Sequence, residues 1–134
     1  MNEVLGSSQE VLGYIAAEAG TDRIIAYSLI KIGYLDTDGN RYSGYGLHLT
    51  HSGVCTYAPS VADQWQGSGL GSSMFEFILN DIRQSGFRTM ILWGGVQVSN
   101  SRALAFYQQR GFMVAGEFEH KGMNLDMYLP MSDR

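Results

Sequence analysis

The sequence is short of several things, and each shortage removes a class of answer. It has one cysteine, Cys55, among 134 residues. An internal disulfide is therefore excluded, and no cysteine cluster is present for a metal. It has two prolines, and one of them, Pro59, interrupts a strand-like run. A strand is bent or unpaired where proline cannot donate to the ladder, which leaves backbone groups for a ligand. No apolar run reaches the ~20 residues of a membrane helix. Met1-Asn2-Glu3-Val4 has no basic region and opens no signal-peptide core. A soluble protein of the cytoplasm, without a membrane partner, is the expectation. Positive charge is scarce too: 9 Lys and Arg stand against 13 Asp and Glu, for a net charge of −4. That argues against nucleic acid as the main partner. His48 and His51 are spaced i,i+3 with no third ligand nearby, so they read as polar surface and no metal is expected. With 45% hydrophobic and 16% charged residues, the composition is that of an ordinary folded chain. The length suits one domain over 1–134 and is too short for two. Residues 1–10 are polar and expected to be loose.

Glycine is plentiful, with 17 in the chain. The densest stretch is Gln66-Gly67-Ser68-Gly69-Leu70-Gly71-Ser72-Ser73, between an extended apolar run and a helix-period pattern. Glycine lets the backbone turn sharply and lets a ligand approach bare N–H groups. A helix starting at about Leu70 aims unpaired N–H groups and its positive dipole end into the same space. Strand, glycine turn and helix N-terminus make an anion site, most often for phosphate. A P-loop does not fit, because no lysine follows Gly71. The dinucleotide fingerprint G-x-G-x-x-G does not fit either: its last glycine would be Ser72 or Met74. Q-x-x-G-x-G fits, as Gln66, Gly69 and Gly71. The competing reading is a glycine-rich surface turn.

Taken in order, Val11–Glu18 reads as a strand, with a short helix as the alternative. A turn at 19–22 leads to a strand over Arg23–Asp36. Asp36-Thr37-Asp38-Gly39-Asn40 is a turn signal, and Arg41–Gly53 reads as a loop or edge hairpin. Val54–Ala62 is the strand that feeds the glycine loop. Leu70–Gln84 is a helix, with Leu70, Met74, Phe77, Ile78 and Ile82 at helical spacing, widened by Phe75 and Leu79. Arg88–Gly95 is a short apolar strand, parallel to Val54–Ala62 because a helix joins them. Asn100–Arg110 is a second helix, capped by Ser99 or Asn100 and stopped by Gly111. Phe112–Glu119 and Met123–Met131 are two further strands.

The second helix carries a second motif. Asn100, Ala103, Phe106, Tyr107, Gly111 and Phe112 match N-x-x-A-x-x-F/L-Y-x-x-x-G-F without a gap. Together with Gln66, Gly69 and Gly71, in that order and with a strand–helix–strand between, the chain resembles the GNAT superfamily of N-acetyltransferases. The resemblance covers residues 54–131 best. It implies an acyl-CoA N-acyltransferase-like α/β fold, a central mixed sheet flanked by helices and splayed between Val54–Ala62 and Arg88–Gly95. Acetyl-CoA would sit in the splay as co-substrate. Its pantetheine arm would run along Ser60 and Val61. Its pyrophosphate would rest on the loop of Gln66, Gly67, Ser68, Gly69, Leu70, Gly71 and Ser72. Asn100 would hydrogen-bond the pantetheine region or position the helix. Tyr107 would face the thioester sulfur as general acid, since an unperturbed tyrosine, pKa ≈ 10, is protonated at neutral pH. The acceptor would be a primary amine of a small molecule or peptide.

The chain departs from the family pattern in three ways. No carboxylate stands on either strand where the family often draws its general base, so a water-mediated base or an already neutral amine is to be considered. The glycine loop carries no Arg or Lys. The family's first strand and two helices, which usually wall the acceptor site, are apparently lacking, as in a truncated chain or one that completes its site as a homodimer. Those departures support a second reading, a non-catalytic acyl-CoA-binding module.

Overall fold

The computed structural model describes residues 11–17, 19–20, 23–61 and 69–131. In chain order its elements are β1 (Val11–Ala17), β2 (Ile24–Ile32), α1 (Asp36–Gly44), β3 (Val54–Val61), α2 (Leu70–Gln84), β4 (Thr89–Leu92), β5 (Val96–Gln97), α3 (Ser101–Gln109), β6 (Met113–Glu119) and β7 (Met123–Pro130). The strands form one mixed sheet of seven. β3 and β4 are parallel, as strands joined by a helix must be to lie side by side. The other pairs are antiparallel. This is the mixed sheet flanked by helices that the sequence implied.

The sheet opens where β3 and β4 part. Their register ends at Tyr57 opposite Leu92, with a last bond of 3.1 Å from the Trp93 N–H to the Tyr57 carbonyl. β3 continues to Val61 against β2, where Ser60 faces Tyr27 and Val61 faces Ala26. The other chain turns at Trp93-Gly94-Gly95 and stays with β7 as β5. Gly94 and Gly95 have φ of 70° and 72°, a region that L side chains avoid. A Cβ on Gly95 would also meet the Leu125 carbonyl at 2.8 Å and the Phe118 ring at 2.9 Å. The single strand expected over Arg88–Gly95 is therefore β4, a glycine turn and β5. That turn produces the splay.

α2 and α3 cover one face. Met74, Phe75, Ile78, Leu79 and Ile82 are the buried stripe of α2. They pack on Cys55 and Tyr57 of β3, Met90 and Leu92 of β4, and Met127 and Leu129 of β7. Phe75 is at the centre, with its ring against Tyr57, Phe106 and Phe112 at 5.5–6.0 Å. Burial of each such side chain is worth about 1.5–3 kcal/mol. Phe77, expected in the stripe, is half exposed at the edge, where its ring meets Tyr14.

The other face holds the largest correction. Asp36–Asn40 is not a turn, and the stretch after it does not begin as a loop or hairpin. Both belong to α1. Intrinsic propensity argues against a helix here, since Asp, Thr, Gly and Asn are poor formers. Tertiary contacts override it. Tyr42 is fully buried with Val54 and Ile91, and its hydroxyl donates to the Met127 carbonyl at 3.0 Å. Gly39 is needed because a Cβ there would fall within 2.3 Å of the Tyr34 ring. Only residues 45–53 remain irregular, and in them His51 stacks on Tyr34 at 3.9 Å.

Candidate functional site

A cleft of about 300 Å³ lies at the splay. β3 contributes Tyr57 and Ala58; the β4–β5 turn contributes Leu92, Trp93, Gly95, Val96 and Gln97; α3 contributes Ala103 and Tyr107, with Asn100 just before it. The two sequence residues expected from the second motif thus meet in one place. Asn100 is the N-cap of α3, accepting the Ala103 N–H at 3.1 Å. It positions the helix and also lines the cleft. Tyr107 is 7% exposed and its ring stacks edge-on against Phe106 and Phe112. Among the described residues nothing hydrogen-bonds its hydroxyl. Burial, and secondarily the neighbouring Tyr57, push its pKa up, so the proton stays on. Tyr57 is itself pushed up to about 12 by burial, with Ser28 and Arg110 acting in the opposite direction.

The glycine loop is described in part. Gln66, Gly67 and Ser68 lie outside the described residues, as do the side chains of Ser60 and Val61. Gly69 is the N-cap of α2 with φ 92°, and it offers no side-chain cap. An added Cβ there meets no atom of the described residues within 4 Å. Leu70, Gly71 and Ser72 form the first turn of α2, the end that carries the helix's partial positive charge.

A cation from α3 reaches the first turn of α2. Arg110, the C-cap of that helix, donates through Nη2 to Ser72 Oγ and through Nη1 to the Phe106 carbonyl at 3.3 Å. Its guanidinium lies 3.9 Å from the centre of the Phe106 ring. Its Nε is buried without a partner, and no carboxylate of the described residues pairs with it. The sequence reading missed this residue because Ser72 and Arg110 are 38 positions apart. The signal available was an arginine one residue before the Gly111 stop.

A second polar cluster stands behind the glycine turn, on the α1 face. Arg41 reaches across to Asp126 of β7 with both Nε, 2.8 Å, and Nη2, 3.0 Å. The same Nη2 contacts Asp38 Oδ1 at 2.5 Å. Tyr45 donates to Asp126 Oδ2 at 2.6 Å, and Phe118 lies under the guanidinium at 3.8 Å. Asp38 is 2% exposed, its other oxygen has no side-chain partner, and the Gly94 amide lies beside its carboxyl. Burial raises its pKa above the ordinary carboxylate value, and Asp126 adds to the rise; Arg41 and the Gly94 amide oppose it. No sequence reasoning found this cluster.

Cys55 is fully buried on the α2 face, and burial pushes its thiol up to about 12. It is a packing residue. Among the described residues no group of three or more His, Cys, Asp or Glu is placed to hold a metal, and no helix is long and apolar enough to cross a membrane.

The geometry has parallels in solved structures. A GCN5-related N-acetyltransferase from Kribbella flavida matches with a TM-score of 0.71 at 18% identity, over 96% of this chain and 72% of its own. The ribosomal-protein alanine N-acetyltransferase of Escherichia coli matches with 0.69 at 21% identity, over 94% and 72%. A spermidine N-acetyltransferase chimera from Vibrio cholerae matches with 0.67 at 16% identity, over 91% and 68%. No curated protein matches the sequence. At these identities the likeness shows the fold. The model of the acetyltransferase (GNAT) family matches residues 6–112, well over half of the sequence. The chain belongs to the GNAT family of acetyltransferases, enzymes that use acetyl-CoA as co-substrate and act on amines.

Proposed function

We propose that this protein transfers the acetyl group of acetyl-CoA to a primary amine of a small molecule or a peptide by direct attack, with Tyr107 as general acid. The observation that carries the reading is Tyr107 itself. Burial keeps its proton on, its hydroxyl has no partner among the described residues, and the residue lines the cleft where β3 and β4 part.

Acetyl-CoA supplies an activated thioester, and the residues present suit it. Beyond Tyr57, β3 is paired with β2 but no longer with β4. That edge, at Ala58 to Val61, can receive the amide groups of the pantetheine arm as an added strand would. The first turn of α2, which starts at Gly69 without a side-chain cap, suits the pyrophosphate. Arg110 adds a full positive charge beside Ser72. Asn100 fixes the start of α3 and so fixes Tyr107, two turns further on.

Direct attack is favoured over an acyl-enzyme. The single cysteine is buried on the packed face with its thiol held protonated. Tyr107 then has one task, to donate a proton to the sulfur as the C–S bond breaks.

The structural neighbours act, by their names, on a protein's alanine and on spermidine, so one fold serves both acceptor classes. The test is an acetylation screen over polyamines, amino acids, aminoglycosides and peptides, read as release of CoA thiol. Amine-dependent release supports the proposal. Acetyl-CoA binding with no release from any amine would instead support a binding module.

A further inference from the structure

The reaction needs somewhere to send a proton, because an amine nitrogen that becomes an amide must lose one. Among the described residues, none that lines the cleft carries a carboxylate. Two carboxylates lie just behind the glycine turn, and they differ. Asp126 has both oxygens engaged, by Arg41 and Tyr45. Asp38 gives one oxygen to Arg41, while the other is buried with no side-chain partner, and the Gly94 N–H is the carboxyl's polar neighbour. A buried carboxylate oxygen is normally fully satisfied, so one with room for a further bond marks a place for an ordered water or a substrate N–H.

Its place in the fold points the same way. Asp38 holds Arg41, Arg41 lies on the Phe118 ring at 3.8 Å, and that ring is packed against Gly95, where an added Cβ would meet it at 2.9 Å; Gly95 is in the cleft wall. The carboxylate therefore sits behind the turn that opens the sheet. The charge count is favourable too. Two carboxylates share one guanidinium, leaving the cluster one negative charge in excess in a buried setting. One proton would neutralise it.

We propose that Asp38 is the base of the reaction, accepting through a water held at Oδ2 the proton that the acceptor nitrogen sheds as it attacks the thioester carbonyl. The assignment rests on the acetyl-transfer reading above. In the step, the N–C bond forms and the C–S bond breaks. The proton from nitrogen passes to Asp38, and the proton of Tyr107 passes to sulfur. The products are an amide and a free thiol. Asp38 then returns its proton to solvent, and Tyr107 regains one.

The groups that set the titration of Asp38, besides burial, are Arg41 on its own helix, Asp126 on β7 and the Gly94 amide; of the neighbouring tyrosines, Tyr42 donates to the Met127 carbonyl and Tyr45 to Asp126. Burial wins over Arg41, so the folded pKa is raised. Two signs follow. Activity requires the ionised form, so kcat/KM falls as pH drops through the raised value. Stability runs the other way: the protonated form favours folding, and that contribution is lost as pH rises through the folded pKa.

The experiment is kcat/KM against pH for the wild type and Asp38→Asn, with melting temperatures of both. At neutral pH the variant is expected to lose ~10²–10⁴-fold, the usual range for one acid–base group. Its deficit should shrink at high pH, where hydroxide can take the proton from the attacking nitrogen in place of Asp38. Its melting temperature should be no lower than that of the wild type. A variant that stays within threefold of wild type, or runs parallel to it at every pH, overturns the assignment. Should the variant fail to fold, a carboxyl-carbon NMR titration of wild-type Asp38 decides the matter. Its midpoint must coincide with the acid limb of kcat/KM and lie above the ordinary ≈ 3.9; an ordinary midpoint overturns it. A wild type that releases no thiol with any amine sinks the acetyl-transfer reading first, and the base with it.

Discussion

Under α2 and α3, Phe75, Ile78, Ile82, Met90 and Met127 meet with almost no exposed surface. Under α1, by contrast, a guanidinium is held between two buried carboxylates, and only Tyr42, Val54 and Ile91 form the buried apolar patch. The first face is made by area and the second by a few directed bonds. Apolar packing tolerates small displacements. An ion cluster with an incompletely satisfied carboxylate oxygen is costly to bury and justifies itself through something other than stability. The proposed cofactor site is thus built on the face made by area, and the proposed base on the face made by directed bonds.

The comparison breaks most sharply at Phe75. Phe75→Ala leaves a cavity where three aromatic rings now meet and should cost ~3–5 kcal/mol, read by chemical denaturation. A loss below ~1 kcal/mol would mean that the face is not the main core. Next in size is Arg110→Gln. Losing one charged donor to phosphate is worth ~1.5–3 kcal/mol, so acetyl-CoA should bind about tenfold more weakly or worse. Wild-type affinity should also fall more steeply with salt than the variant's. Equal titrations for both proteins would remove Arg110 from the pyrophosphate site. The smallest effect is expected on the α1 face. Tyr42→Phe removes one bond to the Met127 carbonyl and should cost ~0.5–1.5 kcal/mol while leaving acetyl-CoA binding unchanged. A change in acetyl-CoA affinity would show that the faces are coupled.

The same contrast explains what the sequence disclosed. The α2 stripe recurs at helical spacing, so its buried face was legible apart from Phe77, which lies at the stripe's edge. Asn100 and Tyr107 were legible because a cap and a helix-face tyrosine keep a fixed separation along one helix. Arg110 meeting Ser72 was not, since chain spacing carries no sign of which helix ends converge. α1 was missed for a stronger reason. Its residues prefer turns, and the bonds that hold it come from Asp126 and Met127, each 85 positions away from its partner on the helix. The break in Arg88–Gly95 was visible as Gly94-Gly95, but its consequence depends on β7, which keeps β5 after β3 has let go.

The most direct test of the account is the release of CoA thiol by Tyr107→Phe compared with wild type, with a working amine. The substitution removes one hydroxyl and keeps the ring against Phe106 and Phe112. The account predicts a fall in kcat of ~10²–10⁴-fold with acetyl-CoA affinity nearly unchanged, because the lost contact forms fully only as charge develops on sulfur. Because burial holds the Tyr107 proton in place, the wild-type rate should also show no loss from its ionisation up to about pH 10. A variant that keeps full kcat would contradict the account and reduce Tyr107 to a packing residue.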